Sequence, residues 1–248
     1  MSLPFLILET GVPAEPLRRR GSFPHWIRVA ARLGRGQADI VDVQSHLPPS
    51  PRGYAGIVLT GSAAMVSDRE PWSEATAEWL RDAIAGGAHV FGICYGHQLI
   101  AHALGGEVGD NPAGREMGTV EVSLTEAAST DPLLADAPTR FLAQSTHLQT
   151  VISPPPGAEI LACTKQDAHA MLRFGESAWG VQFHPEFSAR HMHGYIRARA
   201  PSLTAEGRDP PAMLRSIRAT PVARGVLRQF VRRASRAVGY GQLTPPHP

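Results

Sequence analysis

Apolar residues in this chain come first in short unbroken runs and only later in alternation. "LPFLILET" (3–10) is apolar almost throughout, the pattern of a strand buried on both faces of a parallel sheet. "HWIRVAARLG" (25–34) follows with helical spacing and stops at Gly34. "ADIVDVQ" (38–44) and "GIVLTGS" (56–62) predict two further strands, the second stopping at Gly61. A helix is expected over "SEATAEWLRDAIAGG" (73–87), with Ser73 as N-cap and paired glycines as its stop. "AHVFGIC" (88–94) predicts a fourth strand that runs straight into a helix, "YGHQLIAHALGG" (95–106). Alternating strand and helix predict an α/β fold with a doubly wound, mostly parallel sheet.

Beyond residue 115 the pattern changes. "REMGTVEVSL" (115–124), "TRFLAQS" (139–145), "AEILACT" (158–164), "HAMLRF" (169–174) and "AWGVQFHPEF" (178–187) are short strands separated by turns such as "PPPG" and "FGES". They predict an antiparallel extension. Residues 187–200 read as helix and "APSLTAEGRDPP" (200–211) as a loop. A helical stretch over 212–237, broken near Pro221, is expected to pack back on the sheet through "VARGVLRQFV" (222–231), and residues 239–248 read as a loose end. This divides the chain into a domain over 1–200 and a loop with a helical extension over 201–248, packed on the same domain.

Composition adds limits. With 43% hydrophobic and 19% charged residues the chain is an ordinary globular sequence. No apolar run reaches the roughly 20 residues of a membrane span, and the N-terminus lacks the pattern of a signal peptide. Two cysteines, Cys94 and Cys163, make no disulfide framework, so a cytoplasmic location is expected. The net charge of +2 conceals a basic tail, with ten arginines against Glu206 and Asp209 from Arg197 onward. The tail lacks the aromatic platforms that stacking on nucleic-acid bases requires, so a solvated helix face is expected there rather than a nucleic-acid contact. Cys163 reads as a strand residue, Trp72 and Trp79 as packing residues, and "HMHGY" (191–195), with no acidic partner nearby for a metal, as surface. No metal and no cofactor are implied.

The candidate chemistry begins at Gly92-Ile-Cys94-Tyr-Gly96. A cysteine between a strand and a helix, with glycine two positions to either side, suits a nucleophile elbow. Such a turn crowds the flanking backbone, which glycine relieves. The following helix points its positive end at the sulfur and favours thiolate. The backbone N–H of Tyr95 is then placed to donate to an oxyanion. On its own, the motif is equally compatible with a buried cysteine. "WGVQFHPEF" ends an apolar strand in His184-Pro185-Glu186. His184 and Glu186, two apart on extended chain, project the same way, so that Glu186 can orient the imidazole.

Together the two segments resemble the triad-type, or class I, glutamine amidotransferases. The family pattern G-x-C-x-G-x-Q is met at Gly92, Cys94, Gly96 and Gln98, and G-x-Q-x-H-P-E at Gly180, Gln182, His184, Pro185 and Glu186. The resemblance covers residues 3–198. It implies a flavodoxin-like sheet, with Cys94 as nucleophile, His184 as base and Glu186 as its orienter. It also implies a glutamine pocket lined by Gln98, Gly61 and His147, and an oxyanion hole formed by the amides of Tyr95 and Ser62. Thr60-Gly61-Ser62-Ala63 stands where the family has S-G-G-P. "STHLQTV" resembles the S-H-G-D segment of guanylate-synthesising members, keeping His147 but placing Leu148 and Gln149 at its glycine and aspartate. "GREMG" (114–118) is similar to the R-E-F-G run of that branch.

Three functions follow. One is a glutaminase that supplies ammonia to a separate synthetase, because the sequence holds neither a G-x-x-x-x-G-K-[ST] nor an S-G-G-x-D-S loop. The second is a free-standing hydrolase of γ-glutamyl compounds. The third is a non-enzymatic regulatory module on the same fold.

Overall fold

The computed structural model describes residues 3–241. The chain opens with β1 (Phe5–Glu9), α1 (Glu15–Arg18), α2 (Phe23–Ala31), β2 (Ala38–Asp42) and β3 (Gly56–Leu59). It continues with α3 (Pro71–Ala85), β4 (Val90–Ile93), α4 (Tyr95–Ala103), β5 (Glu107–Asp110) and β6 (Glu116–Leu124). There follow β7 (Arg140–His147), β8 (Gln149–Ser153), β9 (Glu159–Cys163), β10 (Met171–Arg173) and β11 (Ala178–Val181). Four helices close the described chain: α5 (Ala189–Ala198), α6 (Ala200–Ala205), α7 (Pro210–Ser216) and α8 (Pro221–Gly241).

Nine strands form one sheet in the order β2-β1-β3-β4-β11-β10-β9-β6-β7. The first five pair in parallel and the rest antiparallel. The parallel block has the flavodoxin-like 2-1-3-4-5 order, in which ligands bind beyond the carboxyl ends of the strands. Those ends carry Gly11, Gly61, Cys94 and His184. Alternation along β1 shows how both faces are covered. Phe5 and Ile7 join a core with Ile27 of α2 and Leu227 and Phe230 of α8. Leu6 and Leu8 join the opposite core with Leu80 of α3 and Leu99 of α4. A third cluster, built from Leu17, Phe23, Trp26, Phe187, Tyr195 and Leu203, walls the region beyond β11.

The α/β class and the antiparallel extension agree with the pattern of the sequence; several details differ. α2 is capped by Ser22, whose side chain accepts from the His25 N–H, and it ends where Arg32 turns left-handed at φ 61°, before Gly34. α3 begins at Pro71, so Ser73 is not its cap. Ser73 is buried inside the helix, with its hydroxyl 2.6 Å from the Tyr95 phenol. The expected loop at 200–211 contains α6 and the start of α7, because Pro201 and Pro210 fall in first turns, where a missing N–H costs nothing. Asp209 caps α7 by accepting from Ala212 N–H. β5 and β8, which pair as a separate two-stranded sheet, were not foreseen. His191 is half-buried rather than at the surface: its ring stacks on Trp26 at 4.1 Å. Helix α8 starts at Pro221 and runs through Gly241; the rest of the expected loose end, residues 242–248, lies outside the described residues. Two arginines of the basic tail serve packing. Arg228 Nε donates to Ala30 O at 2.7 Å, and Arg233 lies over the Trp179 ring.

Candidate active site

The elbow is built from two close approaches. Cys94 adopts φ 51°, ψ −101°, a conformation strained for any residue with a β-carbon. A β-carbon on Gly92 would stand 2.5 Å from the carbonyl of Gly96 and 2.6 Å from His97 N, so glycine is required there. On Gly96 it would meet Leu59 Cβ at 2.6 Å. The crowding at Gly96 therefore comes from β3 rather than from the other arm of the turn. Two backbone bonds hold the elbow: Cys94 N–H donates to Val181 O at 2.8 Å, and Gly96 N–H to Thr60 O at 3.2 Å. The thiol is 7% exposed, at the first turn of α4, with Sγ 3.9 Å from Thr146 O.

His184 stands where the chain leaves β11. Its backbone N–H donates to Gln144 O at 2.8 Å, and Phe187 N–H returns to His184 O at 3.2 Å. Phe187 stacks on the imidazole at 4.1 Å and fixes its plane. Nδ1 donates to Glu186 Oε1 at 2.8 Å. That bond sets the tautomer and leaves Nε2, which has no other partner among the described residues, for the sulfur. Burial, the largest single influence, opposes the charged ring. The Glu186 carboxylate and then the charge and hydrogen bonding of Cys94 outweigh it and raise His184 to about 10. Gly61 fits against both groups: a β-carbon there would lie 3.0 Å from His184 Cε1 and 3.7 Å from Cys94 Cβ.

The loop carrying Gly61 and Ser62 is tied to the end of β1. Thr10 N–H donates to Thr60 Oγ1 and Thr10 Oγ1 to Thr60 O, each at 3.0 Å. Ser62 Oγ accepts from Ala64 N–H at 3.1 Å, which bends the loop beside Cys94. The amides of Ser62 and Tyr95 have no acceptor among the described residues, and both residues line the space around the sulfur. Burial pushes the Tyr95 phenol up to about 12, although its bond to Ser73 pulls the other way.

Gln98 also lies at this space, but its Nε2 is committed to Gln149 O at 2.7 Å and Gln182 Oε1 at 2.9 Å. His147 is turned into a buried polar cluster. Its Nδ1 donates to Gln149 O at 2.9 Å, and its Nε2 lies 3.2 Å from Glu116 Oε2. Ser145 and Thr164 also donate to that carboxylate. Burial works against the Glu116 charge, but the His147, Thr164 and Ser145 hydrogen bonds prevail and hold the carboxyl below its ordinary value.

The structure thus brings Cys94, His184, Glu186, Tyr95, Ser62, Gln98, Gly61 and His147 to one end of the parallel sheet. It adds residues to which the sequence reading gave no role. Thr146 and Arg199 border the sulfur's surroundings, and Arg115, bonded to Glu206 at 2.9 Å, lies beside them. "GREMG" pointed toward Arg115 and Glu116; Arg199, 105 residues after Cys94, had no motif. Among the described residues no group of three or more His, Cys, Asp or Glu is arranged to hold a metal. Among the described residues no helix is long and apolar enough to cross a membrane. A buried thiol with an imidazolium partner and free amides nearby can attack an acyl carbon, hold the oxyanion and protonate the leaving atom.

The glutamine amidotransferase class-I family model matches residues 21–199. A glutamine-hydrolyzing GMP synthase of Aeropyrum pernix is 38% identical over 132 residues, 53% of this chain and 24% of that protein. A gamma-glutamyl-L-1-hydroxyisopropylamide hydrolase of a Pseudomonas species is 34% identical over 161 residues, 62% of this chain and 54% of that protein. The chain therefore spans about a quarter to a half of the length of these relatives. A crystal structure of a glutamine amidotransferase from Thermotoga maritima has the same fold, with a TM-score of 0.76 at 21% identity over 95% of this chain and 99% of that one.

Proposed function

Because the chain belongs to the class I glutamine amidotransferase family, we propose that it hydrolyses the side-chain amide of L-glutamine through Cys94, His184 and Glu186. Cys94 Sγ attacks the amide carbon, and the N–H groups of Tyr95 and Ser62 receive the oxyanion. His184 passes its proton to the departing nitrogen, leaving a glutamyl thioester. Water, deprotonated by His184, then releases glutamate and restores the thiol. The observation that carries this reading is the junction of a strained Cys94 elbow with a buried His184–Glu186 pair. Relatives named GMP synthase support an ammonia-accepting synthetase as partner; residues 1–248 contain no recognisable nucleotide-activating loop, so that acceptor is assigned outside them.

The test is release of ammonia and glutamate from glutamine by the protein and by Cys94→Ala, together with labelling by diazo-norleucine. Turnover is expected to fall by more than about 10³-fold in Cys94→Ala. A mass adduct is expected at Cys94 alone. If the unaltered protein turns over glutamine no faster than Cys94→Ala, the glutaminase reading fails. A folded sample that takes up no label favours a regulatory module instead.

A further inference from the structure

Arg199 stands beside the sulfur for reasons that no motif supplies. It joins two helices: its N–H closes α5 by donating to Tyr195 O at 3.0 Å, and it occupies the N-cap of α6. α6 lies past the residues that the family model matches. The helix is seated by Leu203, buried in a cluster with Leu17, Phe187 and Tyr195. Phe187 in turn stacks on the His184 ring. The packing thus ties Arg199 to the triad, on the wall of both cavities that Cys94 borders.

The charge around the sulfur is one-sided. No Asp or Glu borders either cavity, whereas three arginines do. Arg18 borders only the larger; it is exposed to water, with Nε tied to Pro13 O at 3.0 Å. Arg115 borders only the smaller, and Glu206, at the far end of α6, matches its charge at 2.9 Å. Arg199 is half-buried and unmatched. Its Nε is enclosed without a hydrogen-bond partner, and among the described residues no carboxylate lies within ion-pair distance of it. Partly burying a cation without a counter-ion is unfavourable, and an anionic ligand relieves the cost. The leaving ammonia of glutamine carries no negative charge. The anion of the substrate is its α-carboxylate, which lies the length of the side chain from the amide carbon. Because Arg199 borders both cavities, it faces that carboxylate whichever of them receives the glutamyl part.

We propose that Arg199 determines specificity for the substrate: its guanidinium pairs with the α-carboxylate of glutamine and so holds the side-chain amide against Cys94. This rests on the triad reading above. A guanidinium offers a fork of N–H donors to the two carboxylate oxygens, gains far less from a neutral amide and repels a cation. The α-carboxylate keeps its charge throughout the reaction, so the pairing contributes equally to bound substrate and transition state. Its loss is therefore read mainly in KM rather than in kcat. In this division of labour the Cys94 and His184 motifs carry the chemistry, and the joint between α5 and α6 carries the grip on the part of the substrate that does not react.

The experiment compares kcat/KM for ammonia release from L-glutamine, from glutaramate, which keeps the carboxylate but lacks the α-amine, and from L-glutaminamide, whose α-carboxylate is replaced by a neutral amide. Glutamine is expected to exceed glutaminamide by about 10- to 100-fold, the range for hydrogen bonds to a charged group. Arg199→Gln should lower kcat/KM for glutamine and glutaramate by a similar factor, mainly through KM, and lower it far less for glutaminamide. Arg199→Lys, which keeps the charge without the fork, should fall between the two. A misfolded variant would lose all three substrates alike, so the glutamine-to-glutaminamide ratio separates recognition from stability. Glutaminamide hydrolysed as well as glutamine by the unaltered protein overturns the assignment of Arg199, as does a ratio unmoved by Arg199→Gln. No turnover of any of the three and no diazo-norleucine adduct at Cys94 overturns the triad reading itself.

Discussion

At the scale of residues, the proposed chemistry depends on a carboxylate assigned to the imidazole rather than to the substrate. His184 is raised because Glu186 and Cys94 outweigh the burial that would discharge it. Glu186→Gln retains an oxygen to accept from Nδ1–H but removes the charge. His184 then loses the main support for its proton, and its pKa must fall. We expect kcat/KM to drop by about 10²–10⁴-fold and the alkaline limb of its pH profile to move to lower pH. An alkaline limb that stays in place would show that Glu186 does not hold the proton on His184. The sign for stability follows from the same shift. A folded pKa above the unfolded value of about 6.5 gives stabilisation that is complete below that pH and fades as pH rises toward 10. Cys94, His184 and Glu186 were legible because each sits in a short motif with a mechanical reason for its neighbours. Arg18 and Arg199 were not, because a cavity wall gathers residues 181 positions apart that share no local pattern.

At the scale of elements, the central strands were readable because burial on both faces leaves continuous apolar runs. The expected strand at 56–62 contains β3, fully buried, and that at 88–94 contains β4. β5 escaped notice because "EVGD" is short, half polar and has no buried residue; its stability comes from pairing with β8, 39 or more residues away. α6 escaped because its Pro201 reads as a breaker, although proline is harmless in a first turn. The elbow is the element whose sequence and geometry agree most closely. Adding a β-carbon at Gly92 would press on backbone atoms of Gly96 and His97, which cannot rotate away. Gly92→Ala should cost about 1–3 kcal/mol in urea unfolding and abolish turnover by displacing Cys94. Gly109→Ala in β5 is the control: its β-carbon would meet only Ile152 Cγ1, at an ordinary 3.5 Å. It should alter stability by less than about 1 kcal/mol and leave turnover intact. Equal losses in the two variants would refute the steric account of the elbow.

At the scale of the whole molecule, the fold class was legible because alternating elements leave few topologies open, whereas the titration of its interior needed the coordinates. "YGHQLIAHALGG" marks His97 only as a helix residue, yet it is sealed between α4 and the sheet. Nε2 donates to His169 O at 3.0 Å, and a β-carbon on Gly180 would meet Nδ1 at 2.4 Å. Burial is the main reason that its pKa is lowered to about 3, and nearby His169 and His147 add to it. Half-buried His191, lowered to about 4 by burial first and Arg20 and Arg224 next, acts the same way. Between the folded value and about 6.5 the unfolded chain binds a proton that the folded one refuses, so stability must fall as pH falls through that window. At about 1.4 kcal/mol per pH unit, His97 alone should remove about 2 kcal/mol between pH 6.5 and pH 5. Urea midpoints measured at both pH values test this. His97→Gln, which keeps a side-chain N–H donor but cannot take up the proton, should be less stable at pH 7 and lose less on acidification. If the variant and the unaltered protein lose the same stability between pH 6.5 and pH 5, the acid sensitivity of this fold originates elsewhere than at the buried His97.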